Sequence, residues 1–440
     1  MKFHCGRMPD IPFATRALSF PGGIIHIALA IIMLVATAPA FAQRSIPLTL
    51  AETEQLALAA EPGQRALRYR AAAMADRAVE ATTLPDPMLR IGLNNYPLES
   101  GGVTTAGMST AGVAYRQAFP AGKTRSINAK QYEWRAAEIN ENAEERGRQV
   151  LMSARIAWLD AYFLDRTHEL ITETRPFFDD LASITRSLYS VGSKDQQDVL
   201  WAELELSRID DKLIEIERQQ AQARAMLGEW IGDDSARPIA DKLPAWDNPP
   251  ALYDLQEGMA NHPALLAADA RIAARDAGVE LADQRSRPEW ALDVAYSYRN
   301  GSLPSGDPRS DFITVGVTVG LPFFRRKSVD STLSAALQER SAARQSKSRL
   351  LRELQSKLEA EYARYQELAR RLVLYEEQIL EQAGSTAEAA LLAYQSDRGD
   401  FADVMRGYIS DLNTRIEYIR LQVERAESFA VLANLGGMTR

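Results

Sequence analysis

Two short acidic stretches, one in each half of the chain, carry the side chains best suited to chemistry. In each stretch a tyrosine is followed nine residues later by an aspartate, as Tyr189 with Asp198 and as Tyr394 with Asp403. A carboxylate just after a turn stabilises the positive end of the next helix, so each aspartate is predicted either to cap a helix or to act as a charged site.

The charged interpretation depends on several copies meeting around one axis. Asp400 lies one turn before Asp403, and Lys194 and Arg398 are the basic residues close by. Carboxylates repeated around an axis attract cations, and they repel one another unless basic groups pair with them. We expect Lys194 or Arg398 to supply that pairing.

Other kinds of chemistry find no support in the sequence. It has no catalytic triad, phosphate-binding glycine loop or paired-histidine motif, and no ligand spacing for a metal. His168 falls on a heptad stripe and is predicted to be a packing residue, whereas His262 precedes Pro263 at a helix boundary. The chain is therefore predicted to be neither an enzyme nor a holder of a metal or cofactor.

The composition and the N-terminus indicate an exported, ordered protein. The 440 residues carry a formal net charge of −8, which argues against a nucleic-acid partner. Residues 1–42 combine basic residues, an apolar stretch and a small-residue site, and are predicted to be a signal peptide cleaved after Ala42. The single cysteine, Cys5, lies within it, so disulfides are not expected.

The rest of the chain consists of two repeats with the same order of predicted elements, which indicates internal duplication. The first repeat is predicted over 43–232, the linker over 233–250 and the second repeat over 251–437. Each repeat has a shorter helical stretch, a β-hairpin and two long helices. The first repeat is predicted to contain helices 50–82, 124–190 and 195–230 with a hairpin at about 88–119, and the second helices 252–286, 325–394 and 401–434 with a hairpin at about 289–321.

The hairpins alternate apolar and polar residues over lengths that suit membrane-spanning strands. The clearest example is 290–298, followed by the returning strand 313–321. A four-stranded sheet packed on a helical core would show the same alternation. In lipid, however, four strands cannot close a barrel and open edges are not tolerated, so three chains would be needed to supply twelve strands.

The long helices repeat apolar residues every seven positions, which is typical of a left-handed coiled coil. In the second repeat Leu351, Leu358, Tyr365 and Leu372 follow this spacing. A proline, Pro176, interrupts the first long helix, so the first repeat is the expected place for a bend.

A series of sequence motifs, which follow the same order in both repeats, resembles the motifs of outer-membrane efflux proteins of the TolC type. The resemblance is strongest to the branch that exports heavy-metal cations by resistance-nodulation-division pumps. The motifs are the segment 46–58, the Leu-Pro-Asp-Pro run 84–87, Phe119-Pro120, Leu321-Pro322 and the two turns 189–200 and 394–405.

This resemblance implies an α+β membrane protein and a homotrimer. Its twelve-stranded β-barrel, four strands per chain, would lie in the lipid of the outer membrane of a Gram-negative cell. A long α-helical coiled-coil barrel would continue it into the periplasm, where a membrane-fusion adaptor and an inner-membrane pump would be the partners.

The resemblance also assigns roles to the two turns at the helix tips. Asp198, Asp400, Asp403 and Arg398 would border the periplasmic aperture. The candidate adaptor contacts, for which a plain turn is the alternative, are Tyr189, Val191, Gly192, Ser193, Tyr394, Asp397 and Gly399. Asp397 stands where the first turn has Gly192, which is a departure from the family pattern.

The predicted function is a duct of a tripartite efflux pump that exports small substrates, with heavy-metal cations favoured. A duct of the same fold for drugs or for type I protein secretion remains open. From another class, a soluble periplasmic coiled-coil adaptor is the alternative.

Overall fold

The computed structural model describes residues 46–99, 101–102, 107–246, 248–321, 323–324 and 326–436. The predicted signal peptide, 1–42, and Pro322 of the Leu321-Pro322 motif lie outside this part of the chain. The described residues from Pro47 onward belong to one compact unit. Among the helices of this part, none combines the length and the hydropathy of a membrane span.

The first repeat begins with two short helices that meet at a proline. The Glu61 side chain accepts a hydrogen bond from the Gly63 amide (2.7 Å), and Pro62 occupies the first helical position, where its missing N–H costs nothing. The predicted helix 50–82 is therefore two helices. The elements of this repeat are α1 (Leu50–Ala60), α2 (Pro62–Thr82), β1 (Met88–Asn94), β2 (Thr110–Phe119), α3 (Thr124–Ser190) and α4 (Gln196–Ile231).

The second repeat follows the same order, again with a break before a proline. Here His262 caps the helix that Pro263 begins. The elements are α5 (Leu252–Gly258), a 3₁₀ turn (Met259–Asn261), α6 (Pro263–Gln284), β3 (Glu289–Tyr298), β4 (Phe312–Gly320), α7 (Arg326–Leu374), a π turn (Tyr375–Ile379), α8 (Leu380–Gln395) and α9 (Phe401–Gly436).

The four strands form one antiparallel sheet in the order β1-β2-β3-β4. The strands pair so that their apolar residues stand opposite one another in rows, because side chains of period two fall on one face. One row runs Leu89, Tyr115, Val294 and Val315, and Phe119 stacks on its partner Trp290 at 4.0 Å. The strands β1 and β4 are the edges of this sheet.

The helices bury a continuous apolar core between the long members of the two repeats. Trp158, Ile171 and Phe178 of α3 are fully buried in a cluster shared with α4 and α9. The linker joins this core, because Leu48 forms a parallel bridge with Ile239 and accepts a hydrogen bond from the Trp158 indole (2.9 Å). The heptad positions of α3 thus face two neighbouring helices.

Among the described residues of the long helices, a π turn in the second repeat interrupts regular α-helix, which the sequence did not predict. The helix α3 is continuous through Pro176, while Tyr375–Ile379 forms the π turn between α7 and α8. Two contacts hold this part of α3 against its neighbours, since Phe178 is fully buried and Arg175 donates to Asp210 at 2.6 Å. The bend at Pro176 stays a prediction, since a proline can bend a helix without ending it.

Candidate functional site

The ends of the long helices form two turns with the same hydrogen-bond pattern. In the first repeat the Ser193 amide donates to the Leu188 carbonyl (2.9 Å) and the Gly192 amide to the Tyr189 carbonyl (2.9 Å). In the second, Arg398 donates to Ala393 (2.9 Å) and Asp397 to Tyr394 (3.1 Å). This pair of bonds is the Schellman motif, which ends a helix with one residue in the left-handed region.

Asp397 adopts the left-handed conformation that Gly192 adopts in the first repeat. Its φ is +58°, and that of Gly192 is +75°. Aspartate tolerates this region better than most residues but less well than glycine. The substitution therefore leaves the turn geometry intact and introduces a carboxylate that the first turn lacks.

That carboxylate forms an ion pair between the two repeats. The Lys194 Nζ lies 2.6 Å from Asp397 Oδ1 and 4.6 Å from the centre of the Tyr394 ring. The hydrogen bond raises the pKa of Lys194 and lowers that of Asp397, so both are charged at neutral pH. The side chain of Lys194 is 19% exposed, whereas that of Asp397 is 84% exposed. The lysine thus ties the tip of the first hairpin to the tip of the second.

The predicted pairing of the other tip residues is different in the structure. Lys194 bonds Asp397, Arg398 donates to the Ser396 hydroxyl (3.3 Å), and Asp403 pairs with Arg406 (2.9 Å). Arg398 is held by its own turn, because its guanidinium reaches back toward Ser396. Direct pairing of Arg398 with the aperture aspartates, which the sequence predicted as one possibility, is not the arrangement found.

Three aspartates line an open cavity of about 510 Å³ beside this ion pair. They are Asp195, Asp198 and Asp400, and Lys194 lines the same cavity. Burial and the neighbouring Asp195 raise the pKa of Asp198, while Lys194 opposes that rise. The cavity is thus a site of concentrated negative charge at the meeting point of the two repeats.

The position of the aspartates also settles their relation to the helices. Asp198 and Asp403 lie in the first turns of α4 and α9, where a carboxylate interacts favourably with the helix dipole. Asp195 holds the N-cap position of α4 without a side-chain capping bond, and Asp400 directly precedes α9. The capping and the charge roles are therefore compatible at these positions.

The candidate contact residues differ in their accessibility. Val191 is 75% exposed and Tyr189 45%, and Gly192, Ser193 and Asp397 are exposed as well. Tyr394, in contrast, is buried, with its ring against Phe401 at 5.5 Å and beneath the Lys194 ammonium. Its large ring fills the space between α8 and α9, so Tyr394 is a packing residue and not an accessible contact.

Sequence reasoning missed an apolar patch beside the first tip. Its members Ile184, Leu200, Trp201 and Leu204 are 53%, 57%, 42% and 49% exposed. Leu200 and Leu204 are four residues apart and so share one side of α4. The buried set of α4 includes Val199, Ala202 and Ile209 and does not include these residues, a second periodicity that could have revealed the patch.

A second exposed apolar surface covers one face of the sheet. Ile91 and Ile313 are each 75% exposed, Val315 is 67% exposed and Leu89 is 64% exposed. An apolar patch of this size on a soluble protein would be a liability, and it is what lipid contact requires. Within the described residues, no group of three or more His, Cys, Asp or Glu side chains is arranged to hold a metal ion.

Comparison with known proteins assigns the fold. The family model described as "Outer membrane efflux protein" matches residues 255–437, which is the second repeat. The chain has the fold of outer-membrane efflux channels. The solved structure of CusC covers 88% of this chain and 92% of its own, with a TM-score of 0.75 and 13% identity.

Other solved channels give the same result. VceC from Vibrio cholerae covers 88% of this chain and 96% of its own (TM-score 0.73, 17% identity). The open state of MtrE from Neisseria gonorrhoeae covers 88% of each chain (TM-score 0.70, 15% identity). No curated protein matches the sequence significantly.

These findings confirm the predicted fold class, in which a four-stranded sheet continues into long helices. The family model that matches the second repeat names the outer membrane in its description, which is the location that the sequence predicted. The matching family consists of efflux proteins, in accord with the prediction that the chain is not an enzyme.

Proposed function

We propose that this chain is the outer-membrane channel of a tripartite efflux pump and that three copies form the duct. The observation that carries the proposal is the pair of helix-hairpin ends joined by Lys194 and Asp397 beside the acidic cavity. Charged turns at the end of a helical tube are suited to control a passage, because a ring of like charges resists closure unless it is paired.

The sheet supports the trimer. Its apolar face is exposed, and β1 and β4 are the two edges. Unpaired backbone groups are not tolerated in lipid, so each edge needs a partner strand from another chain. Three chains with four strands each give a twelve-stranded barrel, which is an even number within the usual range of such barrels.

The tip supports a gate with an electrostatic latch. The Lys194–Asp397 pair joins the hairpin of α3 and α4 to that of α8 and α9, so the two hairpins cannot separate while it is intact. A periplasmic adaptor would dock on Val191, Gly192, Ser193 and the apolar patch beside them. Its binding would compete with the Lys194–Asp397 ion pair. The aspartates lining the cavity would then face the widened passage.

The acidic lining favours cations, which supports heavy-metal cations as the substrate class and an inner-membrane resistance-nodulation-division pump as the energy source. Carboxylates attract cations without holding them, provided that no complete ligand set is present. The passage would then be a conduit and not a storage site. A duct for drugs or for secreted proteins would need no such charge.

Breaking the latch tests the gate. We expect Lys194→Gln and Asp397→Asn each to raise single-channel conductance in planar bilayers, and the double variant to add little, because one interaction is lost in all three. The matched control is Arg186→Gln, which removes the exposed pair with Glu203 (2.8 Å) within one hairpin. Unchanged conductance in both single variants, or an equal rise in the control, would rule out the latch.

Growth of a deletion strain tests the substrate class. We expect loss of the gene to sensitise cells to zinc, cobalt or cadmium salts more than to hydrophobic drugs, and the wild-type gene to restore growth. Sensitisation to drugs alone would reject the metal assignment while leaving the duct itself in place.

A further inference from the structure

The junction between the sheet and the helices carries five exposed basic side chains without acidic partners. They are Lys123, Arg285, Arg287, Arg326 and Lys327, here called the basic collar. Within the described residues, none of the five side chains forms an ion pair or a side-chain hydrogen bond. Unpaired cations concentrated in one place indicate an anionic partner.

The surrounding charges make this collar unusual for the molecule. Just below it, the helices are joined by ion pairs such as Lys130–Glu280 (3.6 Å) and Arg275–Glu339 (2.7 Å). Just above it, the strands present their exposed apolar face. The collar therefore lies at the change from a polar to an apolar surface, which is where a bilayer has its phosphate groups.

Two residues of the collar line a cleft of about 620 Å³ at the end of the sheet. Arg285, Arg287, Glu289 and Leu321 line this cleft. Lys123 is adjacent because its amide bonds the Gln284 side chain (3.0 Å), and α7 begins with Arg326 and Lys327 beside Ser328, which also lines the cleft. Glu289 is the acidic residue of the lining, so the balance of charge remains positive.

Two exposed aromatic residues complete the surface. Phe323 is 75% exposed and Phe324 is fully exposed, directly between the apolar end of β4 and the basic start of α7. Aromatic rings next to basic residues are the composition of a membrane-interface anchor. Charge complementarity and this apolar neighbour together favour a lipid over a soluble anion.

We propose that the basic collar binds the phosphate of an anionic phospholipid, with the acyl chains against Phe323, Phe324 and the outer face of the sheet. The proposal rests on the membrane placement of the strands under the proposed function. The bound lipid would fix the depth of the sheet in the bilayer and neutralise the collar. Binding should weaken with salt, since exposed charges are screened.

The test measures the thermal unfolding midpoint of the full chain purified in nonionic detergent, with added phosphatidylglycerol, phosphatidylcholine or inorganic phosphate. We expect a saturable rise with phosphatidylglycerol only. Arg285→Gln/Arg287→Gln should weaken the apparent affinity about 30-fold. The matched control is Arg70→Gln/Arg352→Gln, which removes two exposed basic residues from helices α2 and α7 and should leave the lipid effect unchanged.

The outcomes separate lipid binding from a structural role. Arg285→Lys/Arg287→Lys keeps the charge and should retain the lipid effect, which also carries the test if the glutamine variant does not fold. An equal rise with inorganic phosphate, an unaltered response of the glutamine variant, or loss of its trimer without lipid would overturn the proposal. A normal trimer and conductance with no lipid effect would reject the collar and leave the duct in place.

Discussion

Burial in the fold opposes the protonation of His262. Its side chain is 1% exposed, and its Nδ1 accepts a hydrogen bond from the Ala264 amide (3.3 Å) at the start of α6. Glu145 and Arg148 of α3 and Asn434 of α9 face the ring, and Glu145 Oε2 lies 3.6 Å from Nδ1. Three elements from both repeats therefore meet at one imidazole.

Stability should rise with pH through the titration of His262. Burial lowers the pKa of His262 below its ordinary value of 6.5, so below that pH the unfolded chain binds a proton that the folded chain resists. The stabilising contribution of the neutral imidazole is thus fully present above pH 6.5 and is lost as the pH falls below it. Burial raises the pKa of Glu427 to about 7, which acts in the opposite direction, so the contribution of His262 is measured as the difference between the wild type and a His262 variant in the unfolding midpoint in urea at pH 5 and pH 8.

Two substitutions separate the titration from the cap. His262→Asn keeps a side-chain oxygen for the Ala264 amide and should flatten the pH dependence. His262→Ala removes the cap as well and should cost about 1 kcal/mol at both pH values. An unchanged pH slope in the asparagine variant would contradict this role.

At the scale of elements, the close contact of α8 and α9 depends on a glycine. A Cβ built on Gly407 would lie 3.0 Å from the Ala387 Cα, and that backbone atom cannot move aside alone. A Cβ built on Gly384, on the facing helix, would have only the Asp411 carboxylate within 4 Å, at a distance of 3.8 Å. The two glycines therefore differ in how much room a side chain would have, while both lie within helices.

Alanine at these two glycines should have opposite effects on stability. We expect Gly407→Ala to destabilise the protein by about 1–3 kcal/mol by forcing α8 and α9 apart. Gly384→Ala should be neutral or stabilising by up to about 1 kcal/mol, because alanine is the better helix former. Thermal unfolding of both variants provides the comparison, and equal effects would show that packing is not the cause.

Most of what the sequence predicted about these elements came from the regular spacing of its apolar residues. The period of two located the strands and the period of seven located the long helices, because burial against a sheet partner or a helix partner imposes those spacings. The turn at Asp397 was harder to predict, since its left-handed conformation is set by the Schellman bonds and not by the residue type.

The π turn and the burial of Tyr394 depend on packing that the sequence does not express locally. One signal did exist for the π turn. The offset between the repeats grows from 202 residues at Phe119 and Leu321 to 205 at Tyr189 and Tyr394, so the second repeat contains extra residues within its long helix. A π turn accommodates one such insertion without ending the helix.

At the scale of the whole molecule, the two sheet edges should meet between chains. Gly92 on β1 and Gly316 on β4 lie on the same face of the sheet, and an added Cβ at either meets nothing within 4 Å. The chain has no cysteine other than Cys5 in the predicted signal peptide. These glycines are therefore suitable sites for a crosslinking pair.

We expect Gly92→Cys/Gly316→Cys treated with a short bis-maleimide to give covalent dimers and trimers on a denaturing gel. Each single cysteine variant is the control and cannot give a trimer, because one cysteine per chain joins only two chains. A ladder that stops at the monomer, or one that continues beyond three chains, would contradict the closed trimer.

The pairing of β2 with β3 has a consequence for how the chain folds. The hairpins β1–β2 and β3–β4 join strands close in sequence, whereas β2 and β3 are roughly 180 residues apart, and contacts of high sequence separation form slowly. The stacked Phe119 and Trp290 are then among the latest contacts within one chain. The contacts of α3 with α6, such as that of Gln131 with the Ala274 carbonyl, are of similar sequence separation, so the four strands become a single apolar surface only when the two repeats come together.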